Sequence, residues 1–145
     1  MFLDASAIVG IINNEHDSDV LIETLETAEG PRLYSGISAY EAIAGLARAM
    51  TTARDGRNAP VLLATLEHAE RLVTQFFEEV GATEVAINAS VTRIALEAAR
   101  SFGKILAQPA DLNMGDCFAY ACARVYRVPL LSKGNDFPQT DIERA

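Results

Sequence analysis

The chain has 145 residues, half of them apolar, and a formal net charge of −8. This length suits one domain with a substantial core, so we expect a single domain over residues 1–145. The excess of acids argues against a basic nucleic-acid-binding coat, and no apolar run approaches the roughly 20 residues of a membrane span.

The first predicted element is a short buried strand that ends at Asp4. Met1-Phe2-Leu3 is apolar throughout, and a short helix capped by Asp4 or Ser6 follows it directly. An apolar strand that runs straight into a helix is typical of a central parallel strand. Because no basic region precedes the apolar run, we expect no signal peptide and a cytoplasmic location.

A second helix is predicted over Asp17–Ala28, followed by a strand at Leu33–Ser35 and a helix over Ala39–Met50. Ser38 and Glu41 have the spacing of a capping box at the start of that helix.

Next, Pro60 suits the first turn of a long amphipathic helix over Val61–Glu79. We expect this helix to form a hairpin with the preceding one. The hairpin carries enough apolar surface to be a candidate dimer contact.

The third strand is predicted at Thr83–Ile87 and the next helix over Asn88–Phe102. After a loop, Asn113 is a good N-cap for a helix that ends near Tyr126. Asp116 lies in its first turn, where a carboxylate favours the positive end of the helix dipole.

Val128–Ser132 is predicted as a fourth strand, and Thr140-Asp141-Ile142 as a final edge strand. Strands alternate with helices along the whole chain, which favours an α/β fold with helices on both faces of a parallel sheet. In such sheets the ligand site lies beyond the carboxyl ends of the strands. Four acids are expected at that edge: Asp4, Glu41, Asp116 and Asp136.

Carboxylates gathered within a few ångströms repel one another and take up protons unless a cation neutralises them. Oxygen ligands suit Mg²⁺ or Mn²⁺, and one or two such ions can activate water for attack on a phosphodiester.

Each acid also has a structural explanation. Asp4 and Asp116 can serve as helix-start acids, Glu41 can complete the Ser38 capping box, and Asp136 can form a turn. Asp141 is better explained as structural than as a ligand, and Ser6 either bonds a ligand carboxylate or caps its helix.

Several other site classes have little support in the sequence. Cys117 and Cys122 are the only cysteines, and their spacing points them to different sides of one helix. We expect both to be small core residues in a reducing compartment. His16 and His68 are far from the cysteines, so a zinc site is not expected, and neither histidine is assigned a catalytic role.

The ordered motifs resemble those of the PIN-domain ribonucleases, and within them the VapC-type toxins of type II toxin–antitoxin pairs. The similar segments cover the chain in order: Phe2-Leu3-Asp4-Ala5-Ser6-Ala7, Tyr40-Glu41, Leu112-Asn113-Met114-Gly115-Asp116-Cys117-Phe118-Ala119-Tyr120, and Leu130-Leu131-Ser132-Lys133-Gly134-Asn135-Asp136-Phe137 with Thr140-Asp141-Ile142. The family often has a bulkier residue where this chain has Ser132, and His-Pro where it has Gln108-Pro109.

The resemblance implies a PIN-like three-layer α/β/α sandwich and Mg²⁺-dependent cleavage of RNA, with Mn²⁺ as a substitute. It also implies a homodimer, inhibition by a cognate antitoxin protein and no association with a membrane. Asp4 and Asp116 would be the principal metal ligands, with Glu41 and Asp136 completing the catalytic acids. The supporting residues around them would be Ser6, Asn113 and Asp141.

Two other functions remain open at this stage. One is a PIN-like binding module that folds and pairs without cutting, which an intact acidic set disfavours. The other is a metal nuclease directed at DNA, against which the sequence has no clear feature.

Overall fold

The computed structural model describes residues 1–145 and contains one parallel sheet between two layers of helices. The strands are β1 (Phe2–Leu3), β2 (Leu33–Ser35), β3 (Thr83–Val85) and β4 (Leu130–Leu131). The helices are α1 (Ala5–Ile12), α2 (Ser18–Thr27), α3 (Gly36–Asp55), α4 (Leu63–Glu79), α5 (Ala89–Phe102) and α6 (Met114–Tyr126). The sheet order is β3-β2-β1-β4, and every pair is parallel. The predicted α/β/α sandwich around a parallel sheet is confirmed.

Alternation along the strands divides the core into two parts. Phe2 and Leu130 are paired across β1 and β4, and both pack on the side covered by α5 and α6. Their neighbours Leu3 and Leu131 are also paired, and both pack on the side covered by α1 to α4. Because successive side chains point to opposite faces of a strand, each two-residue strand contributes to both cores. None of the helices has the length and apolar character needed to cross a bilayer.

Helix α3 begins earlier than the sequence predicts. Its N-cap is Ser35, whose hydroxyl accepts a hydrogen bond from the Ser38 amide at 3.2 Å. Ser38 is therefore inside the first turn and buried, so the predicted Ser38–Glu41 capping box is wrong. This shift leaves the Glu41 carboxylate without a capping role.

Two further boundaries differ from the predictions. Helix α4 begins at Leu63, so Pro60 precedes its first turn instead of lying within it. The predicted edge strand at 140–142 is wrong, because the hydroxyl of Thr140 bonds locally, donating to the Phe137 carbonyl and accepting from the Ile142 amide. Such side-chain bonds compete with strand pairing. The last residues instead cover β4 through one parallel bridge between Leu130 and Arg144.

Candidate active site

The first strand delivers Asp4 to the carboxyl edge of the sheet in a buried position. Asp4 is the N-cap of α1, and its Oδ2 accepts hydrogen bonds from the Ser6 amide at 2.9 Å and from the Ser6 hydroxyl. The residue is only 3% exposed. Burial raises the pKa of Asp4 even though the Ser6 bonds act in the opposite direction. Asp4 thus caps a helix and also places a carboxyl group at the centre of the candidate site.

Helix α6 presents Asp116 at the same edge. The Asn113 side chain accepts from the Asp116 amide at 3.1 Å, and the Asp116 carboxylate accepts from the Asn113 amide at 2.8 Å. This reciprocal capping box fixes the first turn of the helix. Burial, with the neighbouring Asp4 and Asp136 charges, raises the pKa of Asp116 to about 6 against the lowering effect of the Asn113 bond.

Glu41 reaches the site from α3, on the opposite side of the sheet from α6. Its carboxylate lies so close to Gly115 that a Cβ added to that glycine would overlap both carboxylate oxygens. Burial, followed by the charges of Asp4 and Asp116, raises the pKa of Glu41 to about 7. Glu41 therefore does not cap helix α3, and its carboxylate is within electrostatic range of Asp4 and Asp116.

Asp136 completes the group from the loop after β4. It precedes a single 3-10 turn at Phe137–Gln139, and its charge acts on the pKa of both Asp4 and Asp116. Asp4 and Asp116 are therefore within electrostatic range of each other, of Glu41 and of Asp136. Of the four acids, Asp4 is buried and Asp136 is exposed, and their role as metal ligands stays a prediction.

Ser132 contributes a buried polar atom that sequence analysis did not assign to the site. Asp4 and Ser132 each follow the paired residues Leu3 and Leu131, and the Asp4 amide still donates to the Leu131 carbonyl at 3.0 Å. Ser132 therefore lies at the same edge of the sheet as Asp4, one residue beyond the last pair of β1 and β4. The Ser132 hydroxyl is buried and has no hydrogen-bond partner.

The donors at this edge fit a hard divalent cation. They are carboxylate oxygens and include no sulfur or imidazole. Burial raises the pKa of Asp4, Glu41 and Asp116. No group of three or more acidic, histidine or cysteine side chains is arranged closely enough to hold a metal ion as a set. Mg²⁺ does not require such a set, because it usually keeps several waters and takes only one or two carboxylates directly.

The other predicted supporting residues have different positions. Ser6 and Asn113 contact Asp4 and Asp116 directly, as described above. Asp141 instead accepts a hydrogen bond from the Tyr120 hydroxyl at 2.6 Å and pairs with Arg124 at 3.2 Å. These partners hold the pKa of Asp141 below its usual value. The structure therefore places Asp141 in a link between α6 and the C-terminal segment.

The two cysteines are buried in the core, and burial raises the pKa of each thiol to about 11.

Sequence analysis missed the contact between Gly115 and Glu41 and the unpaired hydroxyl of Ser132. Neither had a usable signal, because both depend on packing between distant segments.

Comparisons with known proteins show which families and folds the chain is similar to. A family model described as PIN domain matches residues 1–143. A VapC ribonuclease of Rhizobium meliloti (strain 1021) is 39% identical over 141 residues, which cover 97% of this chain and 98% of that protein. Ribonuclease VapC42 of Mycobacterium tuberculosis (strain ATCC 25618 / H37Rv) is 35% identical over 145 residues, with 100% and 98% covered.

Two solved structures share the fold at low identity. The crystal structure of Mycobacterium tuberculosis VapC20, described as a sarcin-ricin loop cleaving toxin, has a TM-score of 0.68 at 12% identity and covers 99% of this chain and 97% of its own. A toxin–antitoxin complex from Klebsiella pneumoniae has a TM-score of 0.63 at 14% identity, covering 97% and 92%.

Proposed function

The chain belongs to the PIN-domain family, among its VapC-type members, and from this membership we propose that it is a single-domain, metal-dependent endoribonuclease that acts as the toxin of a toxin–antitoxin pair. The relatives at 35–39% identity are named as ribonucleases, and they match this chain over nearly their whole length. The proposed reaction is hydrolysis of RNA phosphodiester bonds in the presence of Mg²⁺, for which Mn²⁺ can substitute.

The observation that carries this proposal is the convergence of four carboxylates without a countercharge of their own. Glu41 and Asp116 have pKa values of about 7 and about 6, so both would be partly protonated near neutral pH. Placing two half-buried acids beside each other costs free energy, and a purely structural role gives no reason for that cost. Clustered acids with perturbed pKa values are typical of functional sites.

Within this proposal, Asp4 and Asp116 hold the ion, and Glu41 and Asp136 complete the negative pocket. A bound divalent cation would supply a water of lowered pKa and would stabilise the leaving oxygen. The protein contributes the positions of the donors: Ser6 orients the Asp4 carboxylate, and the Asn113 amide orients that of Asp116.

The proposed partners follow from charge and exposed surface. A cognate antitoxin would bring an Arg-bearing segment into the acidic pocket of a chain whose net charge is −8. A homodimer would cover exposed leucines on the α3–α4 hairpin, namely Leu62, Leu63 and Leu66. Exposed apolar groups gathered in one place mark protein interfaces.

The test is cleavage of structured RNAs by the purified protein with Mg²⁺ or Mn²⁺, with and without a chelator. Asp116→Asn is the matched variant, because an amide oxygen can still accept from the Asn113 amide and preserve the cap. We expect the cleavage rate of the variant to be at least about 100-fold lower. When acids act as a unit, the loss of one removes most of the effect of the whole set. Equal cleavage by wild type and variant would contradict the proposal.

Two other outcomes have defined meanings. Absence of both cleavage and Mg²⁺-linked thermal stabilisation would favour a binding module without activity, because only a ligand of the folded state raises its stability. Cleavage of a DNA panel in preference to RNA would identify a DNA-directed nuclease. Either result would reject the assignment as a ribonuclease.

A further inference from the structure

The loop that carries Asp136 leaves β4 through Lys133, whose side chain turns away from the acids. Its ammonium group forms an ion pair with Glu15 and lies 3.9 Å from Asp17. Both partners belong to the turn between α1 and α2. The side chain of Lys133 is only 25% exposed, so this pair is partly shielded from water.

Two further contacts fix Lys133 to α1. Its backbone amide donates to the Ser6 hydroxyl at 2.9 Å, and that hydroxyl in turn donates to Asp4. Its aliphatic stem lies over Gly10, where an added Cβ would come within 3.2 Å of Lys133 Cδ. The start of the Asp136 loop is thus connected by continuous contacts to the carboxylate at the end of β1.

We propose that Lys133 is a positioning residue, which holds the 133–136 segment against α1 so that the Asp136 carboxylate faces Asp4 and Asp116. This inference rests on the proposed function of the four acids as a cation site. Groups one layer outside a metal site orient its ligands, and their loss typically costs about 10–100-fold in metal affinity or activity.

A direct contact between Lys133 and an RNA phosphate is the competing role. The two roles differ in what the removal of Glu15 does. If Lys133 positions the loop, Glu15→Gln removes its anchor and resembles Lys133→Met. If Lys133 binds phosphate, Glu15→Gln frees the ammonium group and leaves RNA binding intact or stronger.

The experiment measures amide hydrogen exchange of residues 132–137 in the metal-free full-length protein. The variants are Lys133→Met, Glu15→Gln, their double mutant and the conservative Lys133→Arg. Lys104→Met is the matched control, since Lys104 is the only other lysine and pairs with the exposed Asp111 at 3.4 Å. We expect exchange about tenfold faster in Lys133→Met and Glu15→Gln, the double mutant no faster than either, and Lys104→Met unchanged.

The second readout is the Mg²⁺ concentration that gives half of the thermal stabilisation. We expect it to rise about tenfold in Lys133→Met and Glu15→Gln, with partial recovery in Lys133→Arg. Faster exchange without a change in this concentration would mean that the ion pair only stabilises the fold, and would overturn the inference. So would wild-type exchange in Glu15→Gln together with lost RNA cleavage in Lys133→Met.

Failure of this inference is distinguishable from failure of the proposed function. The exchange measurement needs no metal, so it decides whether Lys133 holds the loop in any case. A wild-type protein that shows no Mg²⁺-linked stabilisation and cuts no RNA would contradict the proposed function. Wild-type cleavage with unchanged exchange in Lys133→Met would contradict the positioning role alone.

Discussion

The carboxylate of Glu41 lies against the backbone of Gly115, where any side chain would overlap it. The contact joins α3 to the first turn of α6 across the edge of the sheet. It brings Glu41 within the electrostatic field of Asp116, the residue after the glycine. Only a glycine at position 115, one residue before the proposed metal ligand Asp116, allows the Glu41 carboxylate to occupy this position.

Gly115→Ala is expected to displace Glu41 while leaving the fold intact. The clashing atoms are the far end of a flexible side chain, so they can move at low cost. Alanine also favours a helix over glycine by roughly 1 kcal/mol. We therefore expect thermal stability to be unchanged or higher and Mg²⁺-dependent RNA cleavage to fall at least about tenfold.

Gly45→Ala is the control for this prediction, because it makes the same change inside α3 with only an ordinary 3.5 Å contact to Val9. It should keep wild-type cleavage. Full activity in Gly115→Ala would show that Glu41 does not need to occupy its present position.

The metal-free protein is expected to lose stability as the pH rises from about 4 to 7. The folded-state pKa of Glu41 is raised to about 7 and that of Asp116 to about 6, so the folded chain binds more protons than the unfolded one across this window. Stability falls with pH wherever the folded state holds the extra protons. Urea titrations at several pH values measure this slope.

Glu41→Gln is the variant that separates the contribution of this group. It removes a half-buried charge, so we expect it to stabilise the metal-free protein at pH 8 by about 1 kcal/mol, once solvent screening is discounted, and to have little effect at pH 4. Destabilisation by Glu41→Gln at pH 8 would contradict the raised pKa.

The stabilisation of the protein by Mg²⁺ is expected to increase as the pH rises. Carboxylates must be deprotonated to bind a cation, so ion binding competes with protons at Glu41 and Asp116. The Mg²⁺ concentration for half-maximal stabilisation should therefore decrease steadily between pH 5 and 8. An affinity independent of pH across this range would argue that neither acid faces the ion.

The parallel sheet could be predicted from the sequence because it depends on local patterns, and the four acids were selected from patterns of the same kind, although their role stays a prediction. Apolar runs that end at Asp4 and before Asp136, and the cap at Asn113, can each be recognised within a few residues. The start of α3 could not be placed, since Ser35 and Ser38 are both plausible caps and only the burial of Ser38 decides between them. The pairing of Lys133 with Glu15 depends on the strand order, which local patterns do not contain.

Ser132→Ala is expected to leave the metal-free protein as stable as wild type, or more stable by up to about 1 kcal/mol. A buried hydroxyl without a partner carries a desolvation cost that alanine removes. Ser35→Ala is the matched control, because that buried hydroxyl caps α3, and its loss should cost about 1–2 kcal/mol. Equal losses in both variants would show that Ser132 is hydrogen-bonded in solution.

The dimer proposed for the α3–α4 hairpin predicts different effects at the two exposed apolar surfaces of the chain. Leu63 on the hairpin is 70% exposed, and Ile105 on the loop between α5 and α6 is 84% exposed. A glutamate in the middle of an apolar interface must be desolvated without a partner, whereas at a solvated position it costs little. Leu63→Glu should therefore give monomers in light scattering at concentrations where the wild type is dimeric, and Ile105→Glu should not. If Ile105→Glu gave monomers and Leu63→Glu did not, the interface would lie at the surface around Ile105. A monomeric wild type would reject the dimer altogether.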